Sequence, residues 1–226
     1  MRTSYILPVL IFYAALLAAL ASVAWAFQTF NPPADSYSLR PSNIESIVIA
    51  PFANGWSDFT GSAANMLFFL FFFVLLVSLD DSLKSRKGLR IFLCVSPIAG
   101  GLLGAAVFYV KLVYSGTPSG GAGSSIITAA MAGVILVLSV ATATESMRPL
   151  RIVRLFLPLA LALSTVVIFY VDFVLAGNTT AHVVGFGSGV FLAYPYVKLV
   201  FKGDPSFGRS DVPAPVVTDR ITLDSL

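Results

Sequence analysis

The chain contains one histidine, His182, and one cysteine, Cys94. A lone neutral imidazole can serve as a general base when a nucleophile stands within hydrogen-bond reach, and a serine hydroxyl is a nucleophile it can activate. Serines of the right kind close the segment Ser119-Gly120-Gly121-Ala122-Gly123-Ser124-Ser125, a glycine-rich loop that leads into an apolar run. Ser125 and His182 are therefore the pair whose residue types can carry out nucleophilic catalysis. A single cysteine excludes an intramolecular disulfide and any multi-cysteine metal site. One His with one Cys makes no set for structural zinc. No metal and no cofactor are expected.

The elements that must position this pair follow from composition. Of 226 residues, 57% are hydrophobic and 11% charged, with a mean hydropathy of +0.89. An average soluble domain has about 25% charged residues. A soluble fold of this size would have to expose large apolar patches. Soluble enzyme, nucleic-acid binder and disordered regulator are thereby excluded, and an all-α polytopic membrane protein remains. The net charge of +3 is too small to imply a nucleic-acid partner. The expected surroundings are the lipid bilayer.

A spanning helix needs about 20 mostly apolar residues. Six stretches qualify or nearly so: Tyr5–Phe27, Gly61–Leu79, Ile91–Tyr114, Ser125–Thr144, Leu155–Leu175 and Ala181–Phe201. A bilayer offers no water to unpaired amides, so these are read as helices. Met66–Leu79 is a continuous apolar run, without the alternation of a barrel strand. Basic residues mark one side. Arg2, Lys84, Arg86, Lys87, Arg90, Arg148, Arg151, Arg154, Lys198, Lys202, Arg209 and Arg220 fall there, against only Arg40 and Lys111 opposite. The positive-inside rule then places both termini in the cytoplasm of a multi-pass protein, expected in the cell membrane.

The chain divides into residues 1–60, a first span with a long outer loop; 61–202, a core of five spans; and 203–226, a proline-containing tail read as flexible and cytoplasmic. Ala24-Trp25-Ala26 has the form of a signal-peptidase site. The run before it is longer than a typical signal core, which favours a retained helix, with a cleaved leader as the alternative. In the outer loop, Ile44–Ala50 is apolar enough to rest at the membrane interface. No internal repeat suggests a two-fold transporter.

By this topology the fourth and sixth spans both enter from outside, so Ser125 and His182 begin at the same depth. Ser125, Ala129 and Gly133 recur every fourth residue, as do Ala181, Gly185 and Gly189. Small residues at this spacing let helix backbones approach closely. If the two faces meet, Gly185 and Gly189 face Ala129 and Gly133, and Ser125 meets His182 at the outer end. The alternative is that both patterns serve packing alone and His182 is an interfacial residue.

The segment Gly123-Ser124-Ser125-Ile126-Ile127-Thr128-Ala129-Ala130-Met131-Ala132-Gly133 resembles the serine motif of rhomboid intramembrane proteases. In that family G-x-S-G opens the fourth helix, with a small residue eight positions after the serine. Ala181-His182-Val183-Val184-Gly185 with Gly189 is similar to the family's A-H-x-x-G-x-x-x-G in the sixth helix. Trp56-Ser57-Asp58-Phe59 followed by Asn65-Met66-Leu67-Phe68-Phe69 is similar to its second-helix H-x-x-x-N-M-L-F segment. The resemblance runs from Gly55 to Phe201. It implies a six-transmembrane-helix rhomboid-like bundle and an intramembrane serine protease with a Ser125–His182 dyad. It also implies transmembrane protein substrates, and oxyanion donors at the Ser125 amide and Asn65.

Two departures stand out. The second-helix histidine of the family falls on Gly61, and the glycine after the serine falls on Ile126. An alternative register puts Gly123 at the serine position, which implies an inactive relative. Ser125 is preferred because it keeps Ala130 and Gly133 in their family positions. A pseudoprotease that binds membrane helices without cutting them is the second reading.

Other residues carry smaller expectations. Asn178-Thr179-Thr180 is a glycosylation sequon close to the membrane. Asp172 and Lys111, near outer helix ends, are read as snorkelling or paired groups. Cys94 is read as a packing residue, and the aromatic run Phe68–Phe73 as facing lipid or core.

Overall fold

The computed structural model describes residues 6–32, 38–53, 56–79, 88–118, 120–121, 123–146, 152–171 and 179–201. Asp172, Asn178, the connections carrying Lys84–Lys87 and Arg148–Arg151, and the tail from 203 lie outside them. Among the described residues every regular element is helical: α1 Leu7–Phe30, α2 Trp56–Leu79, α3 Leu89–Ser115, α4 Ser124–Ser146, α5 Ile152–Ile168 and α6 Thr179–Tyr196. A short helix, Ser46–Ile49, runs into a 3-10 turn, Ala50–Phe52, within the connection between α1 and α2.

Local sequence explains the ends. Pro8 opens α1, where its missing N–H costs nothing, and Asn31 closes it in the left-handed region at φ 43°, donating to the Phe27 carbonyl. α3 ends on Gly116 at φ 66°, and the Thr117 amide reaches back to the Leu112 carbonyl at 3.2 Å. α2 starts at Trp56, so a division at residue 60/61 would fall inside this helix.

Among the described residues four helices are long and apolar enough to cross a membrane: α1, the Phe59–Val77 part of α2, α3 and the Ser124–Thr142 part of α4. This is an all-helical membrane protein. The expected count of six is met only in part. The described apolar stretch on the fifth element is the shorter Leu159–Val171. α6 has 18 residues, and His182, three glycines, Tyr194, Pro195 and Tyr196 dilute its hydropathy. Beyond α5 and α6 the backbone widens into π-turns at residues 169–171 and Val197–Phe201.

α4 is the central helix. Of its spanning window 78% is buried, against 22% for α1, and α2, α3, α5 and α6 all pack on it. Alanines, hydroxyl residues and Gly133 alternate with aliphatic side chains along it, and Thr128 and Thr142 each donate to the carbonyl one turn back, at 3.1 and 2.8 Å. α1 lies at the edge, against α2 and α3. The phenylalanine run of α2 divides by face: Phe69, Phe72 and Phe73 are buried, whereas Phe71 is exposed. In the connection between α1 and α2, Ile44, Val48 and Ile49 are exposed.

Candidate active site

Two helix N-termini converge at the site. α4 begins at Ser124, whose side chain is buried, and the Gly123 carbonyl accepts the Ile126 amide at 3.0 Å. Ser125 is the second residue of the helix, where a backbone N–H has no intrahelical acceptor. α6 begins at Thr179 and carries His182 in its first turn. His182 Nε2 lies 2.9 Å from Ser125 Oγ. The histidine is 8% exposed and the serine half-buried.

The pair is joined because the two backbones touch below it. A Cβ on Gly185 would stand 2.7 Å from the Ile126 carbonyl oxygen and 3.3 Å from the Ala129 Cβ. A Cβ on Gly189 would collide with the Ala130 carbonyl, and one on Gly133 with the Phe186 carbonyl and the Val190 amide. The contacts advance together along both chains, so α4 and α6 run in the same direction. Gly185 faces Ala129 as expected, whereas Gly189 and Gly133 do not face each other. Gly189 meets Ala130, and Gly133 sits between Phe186 and Val190, because glycines on both helices let the ridges interlock rather than align.

α3 forms the back wall of this crossing. A Cβ on Gly100 would stand 2.8 Å from the Ala130 Cβ, one on Gly101 2.6 Å from Ile127 Cγ1, and one on Gly104 2.9 Å from the Gly185 Cα. Three glycines on one helix therefore touch both partners that hold the serine and the histidine. Without a hydrophobic drive between helices in lipid, such close backbone contact is the main source of association.

Ile126 and Gly61, the two positions at which the chain differs from the rhomboid motifs, have different settings. Ile126 is fully buried, and its side chain fills the space left by Gly104 and Gly185. Gly61 is exposed, and nothing stands within 4 Å of where its Cβ would be. Asn65 is half-buried on α2. Among the described residues no hydrogen bond joins it to Ser125 or His182.

The end of the bundle that carries the pair is tied down by contacts whose partners sequence reasoning missed. Leu39 and Gly120 exchange both backbone hydrogen bonds, at 3.0 and 2.9 Å, which fastens the α1–α2 connection to the loop that feeds Ser125. Tyr109 Oη donates to the Pro41 carbonyl at 2.9 Å. Lys111 Nζ donates to Thr180 Oγ1 at 3.0 Å, two residues before His182. The glycine content around Gly120 was the one available signal, since its Cβ would meet the Phe108 ring at 2.9 Å.

Among the described residues no group of three or more His, Cys, Asp or Glu side chains is placed to hold a metal. Cys94 is half-buried within α3. Compared with known proteins, the chain matches no family model, no curated protein and no solved structure.

Proposed function

We propose that this protein is an intramembrane serine protease that cleaves transmembrane segments of other membrane proteins with a Ser125–His182 dyad. The observation that carries the reading is the 2.9 Å approach of His182 Nε2 to Ser125 Oγ across 57 residues of sequence. The tautomer that leaves Nε2 bare accepts the hydroxyl proton as Oγ attacks a peptide carbonyl carbon. The carbonyl oxygen becomes the oxyanion, for which the Ser125 amide at the start of α4 and the favourable end of the helix dipole are suited. The imidazolium then returns its proton to the departing amine, leaving an acyl-enzyme that water resolves by the same route.

The wider reading is a six-span rhomboid-like bundle in the cell membrane, both termini cytoplasmic and the dyad near the outer leaflet. It is supported by the charge asymmetry of the chain and by the parallel entry of α4 and α6. A substrate helix must unwind there, because a regular helix hides its carbonyls. The test is cleavage of a purified single-span reporter protein in proteoliposomes by wild type, Ser125→Ala and His182→Ala. Cleavage by wild type alone is expected. Equal cleavage by all three, or by none, would contradict the proposal.

A specific observation favours a second reading, a pseudoprotease that retains helix binding. Gly61 supplies no side-chain donor, and Asn65 makes no hydrogen bond to the pair among the described residues. This reading expects capture of single-span helices without cleavage.

A further inference from the structure

α3 contains Pro97 in its interior. Proline has no N–H, so the carbonyl four residues earlier, that of Leu93, loses its intrahelical donor. In the apolar middle of a membrane protein an unpaired carbonyl is costly, because no water replaces the bond. Here the donor comes from another helix: Tyr13 Oη of α1 donates to the Leu93 carbonyl at 2.9 Å. Tyr13 is 3% exposed. A small cavity beside it is lined by Tyr13, Phe73, Leu93, Pro97, Met131 and Ile135, so the surrounding walls offer no other strong donor. An apolar space of this kind stays dry.

The position of this proline matters. One turn beyond it α3 presents Gly100, Gly101 and Gly104, the face that touches Ala130, Ile127 and Gly185. Pro97 is thus the weak point of the helix that backs the crossing of α4 and α6. We propose that Tyr13 is a positioning residue for the Ser125–His182 pair, holding the glycine face of α3 in place through the Leu93 carbonyl that Pro97 leaves without a donor. The proposal rests on reading that pair as nucleophile and base. It gives the edge helix α1, which packs on α2 and α3, a task in the site.

The test is a double-substitution cycle with wild type, Tyr13→Phe, Pro97→Ala and the double variant, all full-length in proteoliposomes. Alanine at 97 restores the N–H, so the tyrosine hydroxyl becomes redundant. Tyr13→Phe should slow fluorophosphonate labelling of Ser125 and lower kcat by about 3- to 10-fold, since sub-ångström misplacement of a serine–base pair is costly. KM should stay within about twofold, because on this proposal Tyr13 acts through α3 and not on the substrate. In the Pro97→Ala background the same substitution should change either rate less than about twofold. Melting temperature should follow the same pattern, falling by about 1–4 °C only when Pro97 is present.

A Tyr13→Phe protein with wild-type labelling and kcat overturns the proposal, as does an equal loss in both backgrounds. If Pro97→Ala does not insert, Tyr13→Phe alone decides, since it keeps the ring and removes only the hydroxyl. A wild type that neither labels nor cleaves overturns the serine–histidine reading and the positioning role with it. In that case coupling in the melting temperatures still reports separately whether Tyr13 serves the Pro97 carbonyl.

Discussion

Ile126 occupies the space that Gly185 vacates: its carbonyl oxygen and Cγ1 lie 2.7 and 2.8 Å from where a Gly185 Cβ would stand. Because Ile126 follows Ser125 directly and Gly185 lies one turn below His182, this contact sets the separation of the two functional side chains. Leucine at 185 has no room without parting the helices. Overpacking of this kind typically costs about 1–3 kcal/mol, and a parting of about 1 Å lowers rate roughly 100-fold. Gly185→Leu should therefore insert normally and lose Ser125 labelling. Gly187, exposed and with nothing within 4 Å of its Cβ position, should accept alanine with labelling unchanged. Comparison of the two variants by labelling rate and membrane yield checks the contact.

Replacing Ile126 by glycine would restore the residue type that rhomboid serine motifs carry after the serine. Here it should harm the protein. Ile126 is fully buried against Gly104 and Gly185, and deleting a buried aliphatic side chain of this size costs about 2–5 kcal/mol. Glycine in a helix adds about 1 kcal/mol more. Ile126→Gly should melt well below wild type in a thermal unfolding assay. A rise in melting temperature would show that Ile126 crowds the crossing instead of filling it.

Asn65 tests the oxyanion assignment. If its amide stabilises the tetrahedral intermediate, Asn65→Ala should lower kcat by about 100- to 1000-fold, with melting temperature nearly unchanged because it is only half-buried and no hydrogen bond holds it to the pair. Steady-state cleavage of the single-span reporter measures this. An unchanged kcat would remove Asn65 from the chemistry.

Much of this arrangement was legible in the sequence because it depends on residue type and spacing. The helical class, the apolar lengths of α1 to α4 and the small-residue faces of α4 and α6 follow from period and hydropathy alone. What escaped is what depends on neighbours remote in sequence. Nothing local announces that Leu39 pairs with Gly120, or that Lys111 reaches Thr180. Pro97 did carry a signal, since a proline inside a span always frees a carbonyl, but only the packed structure identifies Tyr13 as the donor. The register of Gly133 and Gly189 was also beyond spacing, because glycines on both helices allow several interlocked positions. α6 falls short of a span for a chemical reason: it gives up hydropathy to His182 and to the glycines that let it approach α4.

The central claim is that Ser125 is a nucleophile activated by His182, and covalent labelling tests it most directly. Purified wild type in proteoliposomes is treated with a fluorophosphonate, whose phosphorus is attacked by the serine oxygen with loss of fluoride, and the adduct is located by peptide mass spectrometry. A single adduct on Ser125 is expected, absent from Ser125→Ala and slowed at least about 1000-fold in His182→Ala. No adduct on the folded wild type, an adduct on Ser124 instead, or undiminished labelling in His182→Ala would contradict it.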